Sequence, residues 1–504
     1  MFGDPPHFTT APSLSWAACL KITKVKLELM TDPDMSMFFD KSLIGASSGI
    51  THPYTKANNP LCPDYNPMLQ LLWILHIYDN NLYGYAMRLP LPIDGFVWVD
   101  VTERENWAEF ILQQQDEQEE GYFIEVDLEY PEELHDTHDN YPCAPEKMKI
   151  EEIYLSDHQK QLGMKCGTKY GSEKLCLTLN PKEKYILHYR NLKQYLSLGL
   201  KLTKVHRVLK FKQSPWLRQY IDMNTQFRQE ANNKFEVSLY KLMNNSFFGK
   251  TCEDVRKYND VKIVQTGDEI EKLTKKENFK RYHIYEETLA SVLMEKKSVT
   301  LNKPRYIGSA ILALSKTVMY DFHYSYMMKK FKDCKLLFTD TDSFCYSIPG
   351  VEDVYAAIKD SNWFDFSNFP KDHPNFRENN KMVPGKFKDE SPNNQIMEFV
   401  GLRSKMYSIL PKEGEKKATA KGVNQRITRR VIKHMDYRNC LMNNEQMYHE
   451  TVNIAHDHHQ LETSTTLKKK SFSPFNDKKW IDKKGSEFTL YSFGHKDIPG
   501  EVKI

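Results

Sequence analysis

Residues 335–348 read KLLFTDTDSFCYSI, two apolar, β-prone runs flanking a tight acidic turn. That pattern predicts a hairpin, although the turn lacks the glycine such turns usually carry. Asp340 and Asp342 stand two residues apart, a spacing that on a strand or hairpin sends both side chains to one face. Two carboxylates held together repel unless a cation neutralises them. Hard oxygen ligands of this kind suit Mg²⁺. The plainer reading is an exposed polar turn, where Asp, Thr and Ser are ordinary residents.

Three other segments carry residues of similar character. KLMNNSFFG at 241–249 reads as helix, and Lys241, Asn245 and Phe248 fall on one face of it. A cation, an amide and an aromatic placed so could hold a triphosphate, a base edge and a sugar, with Arg228 about three turns upstream. The same text fits a helix ending at Gly249 with Phe247 and Phe248 in the core. Leu71–Tyr78 is an apolar run that reads as a buried strand, stopped at a turn by Asp79-Asn80-Asn81. In Lys405-Met406-Tyr407, strand alternation puts Lys405 and Tyr407 on one face, a cation beside an aromatic. Taken singly, each is equally well a turn, a core helix or a surface strand.

Composition sets the outer limits. With 504 residues, 40% apolar and 12% aromatic, the chain can bury a large core, which excludes global disorder. The longest dense apolar stretch, Met68–Tyr78, is too short to cross a bilayer, so no membrane association is expected. The opening MFGDPPHFTT lacks the pattern of a signal peptide. The nine Cys include no CxxC pair and read as reduced intracellular thiols, not a disulfide frame or zinc site. The net charge of +3 hides a segregation: residues 101–152 hold 17 acids against 3 bases, and residues 182–212 hold 9 bases against 1 acid. Residues 401–504 hold 20 bases and 12 acids. The two basic blocks either line a polyanion channel or are solvated faces.

Along the chain, loop-like text (GDPPHF, TAPS) precedes a helical stretch from Trp16 to Met30. Gly121–Tyr130 alternates as a strand with one polar face (Glu125, Asp127, Glu129), after an acidic tract expected to be an exposed loop. Residues 213–248 read as helical. Residues 255–303 show no strong period and read as an insertion. Ile307–Phe331 reads as one long helix, and residues 398–410 as strand-rich. From Ala420 the reading is helix, then Lys-rich loops, then a short β region at 488–493.

The order and spacing of the motifs resemble the protein-primed branch of family B DNA polymerases (DNA polymerase type B, organellar and viral). The likeness is particularly to those of Polinton (Maverick) transposons, related to phage and linear-plasmid enzymes. YDNNLYGYAM at 78–87 looks like motif A, KLMNNSFFGKT at 241–251 like motif B, TDTDS at 339–343 like motif C and SKMY at 404–407 like the KxY motif. EVDLEYPEELHD at 125–136, LHYRNLKQYLSLGLKLTKVHRVLKFKQSPWL at 187–217 and AKGV at 420–423 also look like that family, so the resemblance runs from about Asp4 to His495. A reverse transcriptase fits less well, because its paired acids are adjacent, whereas Thr341 separates them here.

The resemblance implies an α+β fold, a family B palm–fingers–thumb core lacking the N-terminal exonuclease domain. It implies a remnant of the exonuclease/palm junction at 1–65, palm with motif A at 66–100, and a palm strand with the first insertion (terminal-protein region 1-like) at 101–205. Fingers with motif B would follow at 206–254, a second insertion associated with processivity at 255–303, palm with motif C and KxY at 304–423 and thumb at 424–504. The implied function is template-directed DNA synthesis: nucleotidyl transfer from a dNTP to a primer 3′-hydroxyl or a protein primer, with two Mg²⁺ (or Mn²⁺) ions. Asp342 and Asp79 would be catalytic and bind metal, with Asp340 as their catalytic neighbour. Tyr83, Lys241, Asn245, Phe248 and Arg228 would meet the nucleotide, Tyr83 by excluding a ribose 2′-hydroxyl. Lys405 and Tyr407 would steady the primer end. The implied partners are template-primer DNA, dNTPs and a terminal protein. A nuclear location, for a eukaryotic source, follows from the DNA substrate alone.

Three departures from the family pattern bear on this. The family's motif A reads D-x-N-N-L-Y-G; aligned without a gap its acid falls on Tyr78, and period-two geometry then sends Asp79 to the opposite face. Alternatively one turn residue is lost and Asp79 is the acid after a local shift. A family lysine four residues before Lys241 is Val237 here. No exonuclease motif is evident, so proofreading is not expected. The pattern suggests a truncated or decaying copy of a mobile element, with a non-catalytic DNA-binding remnant as the alternative function.

Overall fold

The computed structural model describes residues 7–457, 460–485 and 487–499. Part of the loop-like opening GDPPHF, and Asp4, lie outside them. The sequence folds around a six-stranded sheet whose order is Ser48–Ile50, Lys335–Asp340, Ser343–Pro349, Leu72–Asp79, Phe387–Asp389, Phe364–Asp365. The KLLFTDTDSFCYSI text is the hairpin of strands two and three, and the early apolar run pairs directly with it, Ser343 opposite Tyr78 and Phe344 opposite Ile77.

Leu72–Asp79 is apolar on both sides because it is a central strand covered on both faces. Trp73, Leu75 and Ile77 enter one core with the helical segments around Tyr320 and Phe322. Ile74 enters another, which includes Phe338, Phe399 and Ile409. The second core joins this sheet to a four-stranded one, Lys417–Ala420, Met406–Pro411, Ile396–Arg403 and Tyr54–Lys56. We call the side facing that sheet the front and the helical side the back.

A separate four-stranded sheet has the order Leu91–Val99, Lys201–Ser214, Glu120–Glu129, Lys182–His188. It answers the charge segregation. Glu129 pairs with Lys201 at 3.1 Å, Glu120 with Lys210 at 3.1 Å and Asp127 with His206 at 2.8 Å. Arg207 grips Glu125 with two hydrogen bonds of 2.7 and 3.0 Å. Asp116 takes Arg190 and Lys193, and the buried Lys182 contacts Glu146. The first basic block is therefore largely neutralised by the acidic tract rather than free for a polyanion. The polar face of 121–130 is covered only at Glu125; Asp127 is part-exposed and Glu129 exposed, as the alternation predicts.

Other elements depart from the sequence reading. The first helix is Ala11–Thr23, capped by Thr10 and stopped at the left-handed Lys24. Residues 213–248 divide into Arg218–Glu230 and Lys234–Thr251. The expected single helix 307–331 is Arg305–Tyr320 followed by a π-helical stretch, Asp321–Met327. Residues 255–303 contain a three-stranded sheet and the helix Gly267–Thr274 around a small core of Val264, Ala290, Val292 and Met294. Phe279–Glu286 is mostly exposed there, so no alternation betrays it. The Lys-rich text after the helix His434–Asn443 forms a long hairpin, Met447–Asp457 with Gln460–Phe472. All nine cysteines are free thiols, and among the described residues no helix is long and apolar enough to cross a membrane.

Candidate active site

One row of residues crosses the end of the six-stranded sheet. Ser48 is opposite Asp340, Ser343 is opposite Tyr78, Tyr78 opposite Lys388 and Lys388 opposite Asp365. Opposed residues share a face, and alternation from Ile74 and His76 makes it the front. Between Asp340 and Ser343 the chain turns through Thr341, a β-branched residue held at φ 66°. Its N–H donates to the Ser47 carbonyl at 3.0 Å, and the Asp342 N–H to the Asp340 carbonyl at 2.8 Å. Asn81 (φ 71°) and Lys405 (φ 59°) are also left-handed. Such conformations cost energy in non-glycine residues and gather where a site needs particular directions.

Asp342 is the hub of the charges. Burial pushes its carboxyl up, opposed by Lys241 and Lys405 and reinforced by Asp340. Tyr83 and Tyr78 each lie within its electrostatic reach, and burial first, then the neighbouring acids, pushes both phenols up to about 12. Asp79 is tied to it by backbone, its N–H donating to the Asp342 carbonyl at 2.7 Å. The Asp79 side chain belongs by alternation to the back with Ile77 and Phe387, and is 1% exposed. Its Oδ1 accepts from the Gly385 N–H at 3.3 Å, while Oδ2 has no hydrogen-bond partner. Burial, and then Asp342, raises its carboxyl well above the ordinary range.

The helix Lys234–Thr251 brings Lys241, Asn245 and Phe248 to this place. Lys241 is exposed, Phe248 stacks on Tyr83 with centroids 4.3 Å apart, and Asn245 Oδ1 is buried without a partner. Phe247, its neighbour, is core. Tyr83 is set by the short helix Leu82–Met87, whose cap Asn81 accepts from the Gly84 N–H at 3.3 Å. A Cβ on Gly84 would meet the Asn81 side chain at 2.0 Å, so only glycine permits that approach. Arg228, on Arg218–Glu230, lies within reach of Tyr78, its Nε is buried without a partner, and burial lowers its pKa.

Lys405 and Tyr407 do not share a strand face as expected. Lys405 occupies the turn between Ile396–Arg403 and Met406–Pro411, and from there its Nζ meets Asp340 Oδ1 at 2.5 Å. Tyr407, on the strand, stacks on Phe338 with centroids 4.2 Å apart. Two residues at this end of the sheet escaped the sequence reading, Lys388 and the buried Asp365, whose ammonium and carboxylate lie 4.0 Å apart. The alternation Lys386, Lys388, Glu390 in GKFKDE was a usable signal. A different cluster, Asp136, His495 and Asp497, gathers three ligand-type atoms within 4.8 Å, but Asp136 already contacts Lys496.

The chain matches the family model for DNA polymerase type B, organellar and viral, over residues 72–327, just over half its length. No curated protein sequence matches it. Among solved structures it is similar to Phi29 DNA polymerase complexed with primer-template DNA and incoming nucleotide substrates, with TM-score 0.51 and 14% identity over 92% of this chain and 67% of that one. Phi29 DNA polymerase with primer-template DNA matches at TM-score 0.49 and 14% identity, over 91% and 67%. The fold is thus the family B polymerase fold, and the family match takes in the segments 78–87 and 241–251. The chain belongs to the organellar and viral type B DNA polymerases.

Proposed function

We propose that the front of the six-stranded sheet is a palm on which template-directed nucleotidyl transfer from a dNTP to a primer 3′-hydroxyl takes place, and that this chain performs it weakly. The observation that carries the first half is convergence: Asp342, Lys241, the Tyr83–Phe248 stack and the Lys405–Asp340 pair come from four separate segments to one sheet end. Lys241 would hold the triphosphate, Phe248 and Asn245 the nascent base pair, Tyr83 the sugar, and Lys405 with Tyr407 the primer end. The helices carrying Arg228 and Lys241 serve as fingers in this reading, and residues beyond 424 as thumb.

Family B polymerases generally use divalent cations, and the donor set here fits one at Asp342. Asp79, whose Oδ2 has no partner, is one backbone hydrogen bond away, and the two carboxylates, Asp79 buried and Asp342 part-buried, are short of positive charge. When bound, Mg²⁺ would activate the 3′-hydroxyl and neutralise charge developing on the α-phosphate. On the front face Tyr78 stands opposite Ser343 and Asp340 is engaged by Lys405, so among the described residues the second carboxylate within reach of Asp342 is Asp79, which faces the back. A phenol pushed up to about 12 is a poor ligand at neutral pH, and Asp79 would have to leave the Gly385 N–H to reach the front. That is the support for impairment, and it also favours the second reading, a DNA-binding protein without catalysis. Origin in a Polinton-like element and use of a terminal protein belong to the same proposal and rest on the sequence resemblance.

Primer extension with Mg²⁺ or Mn²⁺ tests it, using wild type, Tyr78→Asp and Asp342→Ala. The expected result is slow extension by wild type, a gain of about 10²-fold in Tyr78→Asp and none detectable in Asp342→Ala. Extension that survives Asp342→Ala would overturn the site. Activity in Tyr78→Asp alone would establish the non-catalytic reading.

A further inference from the structure

The front of the sheet carries a second ion pair built like the one at Lys405. The Glu390 N–H donates to the His76 carbonyl at 2.9 Å, which extends the Phe387–Asp389 ladder by one residue. That register puts Glu390 on the same face as Lys388 and Tyr78. Its carboxylate lies 3.4 Å from Nζ of Lys417, which sits opposite Ile409. In both pairs the acid comes from the six-stranded sheet and the lysine from the adjoining one. In both the lysine is part-exposed, 41% for Lys405 and 42% for Lys417. Tyr407 stands between them along the strand, and its raised phenol, buried first of all, feels both Asp340 and Glu390.

Pairs this open add little to folding, so stability does not account for a duplicate. Among the described residues each lysine has a single carboxylate in contact, which is the arrangement of a cation held ready for exchange. Four strand positions separate Lys405 from the level of Ile409, about 13 Å. A nucleic-acid strand rising ~3.4 Å per nucleotide covers that distance in about four nucleotides.

We infer that Lys417 is a second backbone-phosphate contact for the primer strand, masked by Glu390 in the free protein as Lys405 is masked by Asp340. Binding exchanges each carboxylate for a phosphate and leaves the carboxylates repelled outward. The pairs thereby act as a filter, because a polyanion must displace both acids to gain both lysines. This rests on the reading of the front face as a DNA cleft.

The test is fluorescence anisotropy of the full chain with a labelled primer-template duplex, without divalent cations, over a salt series. Lys417→Ala is expected to weaken binding about 3–10-fold and to lower the slope of log K against log salt by about 0.7–0.9, as Lys405→Ala does. Glu390→Gln, which keeps the lysine and frees it, is expected to tighten binding about 2–5-fold. It also keeps the test open should Lys417→Ala lose its fold. Lys417→Ala with wild-type affinity and slope, beside a weakened Lys405→Ala, would overturn the inference alone. So would a Glu390→Gln that weakens binding. A wild type that does not bind primer-template at all would remove the cleft reading and this inference with it.

Discussion

Glu125 and Asp389 are equally buried, each 5% exposed, in two different sheets of the same chain. Glu125 is held by both arms of Arg207, whose guanidinium also lies over the rings of Phe38 and Trp98. Asp389 has the Tyr355 hydroxyl at 2.6 Å and the Ser391 N–H at 2.8 Å, and among the described residues no cation in contact. Asp79, in the same sheet, has one backbone N–H. The sheet around Glu125 answers its acids from within the chain. The six-stranded sheet answers Asp340, Asp365 and Glu390 with lysines, but among the described residues it leaves Asp79, Asp342 and Asp389 without a cation in contact. Matched charge marks scaffold, and unanswered charge marks the place where something from outside the chain is received.

The sharpest way to break this contrast is to remove the answer. Arg207→Ala leaves Glu125 buried and alone, and is expected to destabilise the fold by about 3–4 kcal/mol. Replacing both residues by methionine should recover most of that loss. Urea unfolding of the three proteins measures it. If Arg207→Ala costs less than about 1 kcal/mol, on the scale of an exposed pair, the distinction between the two sheets fails.

Asp389 supplies the complementary case through pH. Burial pushes its carboxyl from 3.8 up to about 6. The folded value lies above the unfolded one, so between about pH 4 and 6 the native state holds more protons, and stability falls as pH rises through that window. The displacement corresponds to about 2–3 kcal/mol. Asp389→Asn should flatten the profile over that range, and because its one amide oxygen can accept from Tyr355 or from the Ser391 N–H but not both, it forfeits one of the two hydrogen bonds. Parallel profiles for wild type and variant would assign the slope elsewhere.

The same contrast explains what was legible in the sequence. The motif C hairpin and the strand before Asp79 were readable because apolar runs bounded by turn residues leave a local signature. Their convergence was readable from motif order. The pairing of the acidic and basic tracts was not, because Glu125 and Arg207 are 82 residues apart and only strand register unites them. Two of the three strands within 255–303, Asn259–Val264 and Phe279–Glu286, were hidden because so few of their side chains are buried. Lys405 was placed on a strand, since nothing local in SKMY announces a left-handed lysine at a turn. For Tyr78 and Asp79 the text left two alignments open; the register places Tyr78 on the front, opposite Ser343, and Asp79 on the back.

A smaller effect sharpens the view of the site itself. Tyr83 and Phe248 stack across two helices at 4.3 Å, and Phe248→Ala should cost about 0.5–1.5 kcal/mol beyond its lost apolar area. If the stack is also the sugar-facing wall, Tyr83→Val should leave dNTP binding within a fewfold of wild type yet raise affinity for the ribonucleotide. Titration calorimetry with a matched dNTP and NTP reads both. Equal loss of the two nucleotides would make the stack a structural contact only.

The smallest expected effect on folding is the most telling. The Lys405–Asp340 pair is short, at 2.5 Å, but its lysine is 41% exposed and held in a left-handed turn. Lys405→Ala should therefore change stability by only about 0.2–1 kcal/mol, and relief of the φ 59° backbone is not expected to add to it, because alanine is strained there as well. Lys405→Gly removes the same charge and admits the backbone freely, so it should be as stable as wild type or more so. If both variants fold and unfold like wild type while primer-template binding falls in both, the strained lysine is maintained for its charge at the end of the sheet. A loss of several kcal/mol in Lys405→Gly would instead make the pair a strut, and the six-stranded sheet would then resemble the Glu125 sheet more than it differs from it.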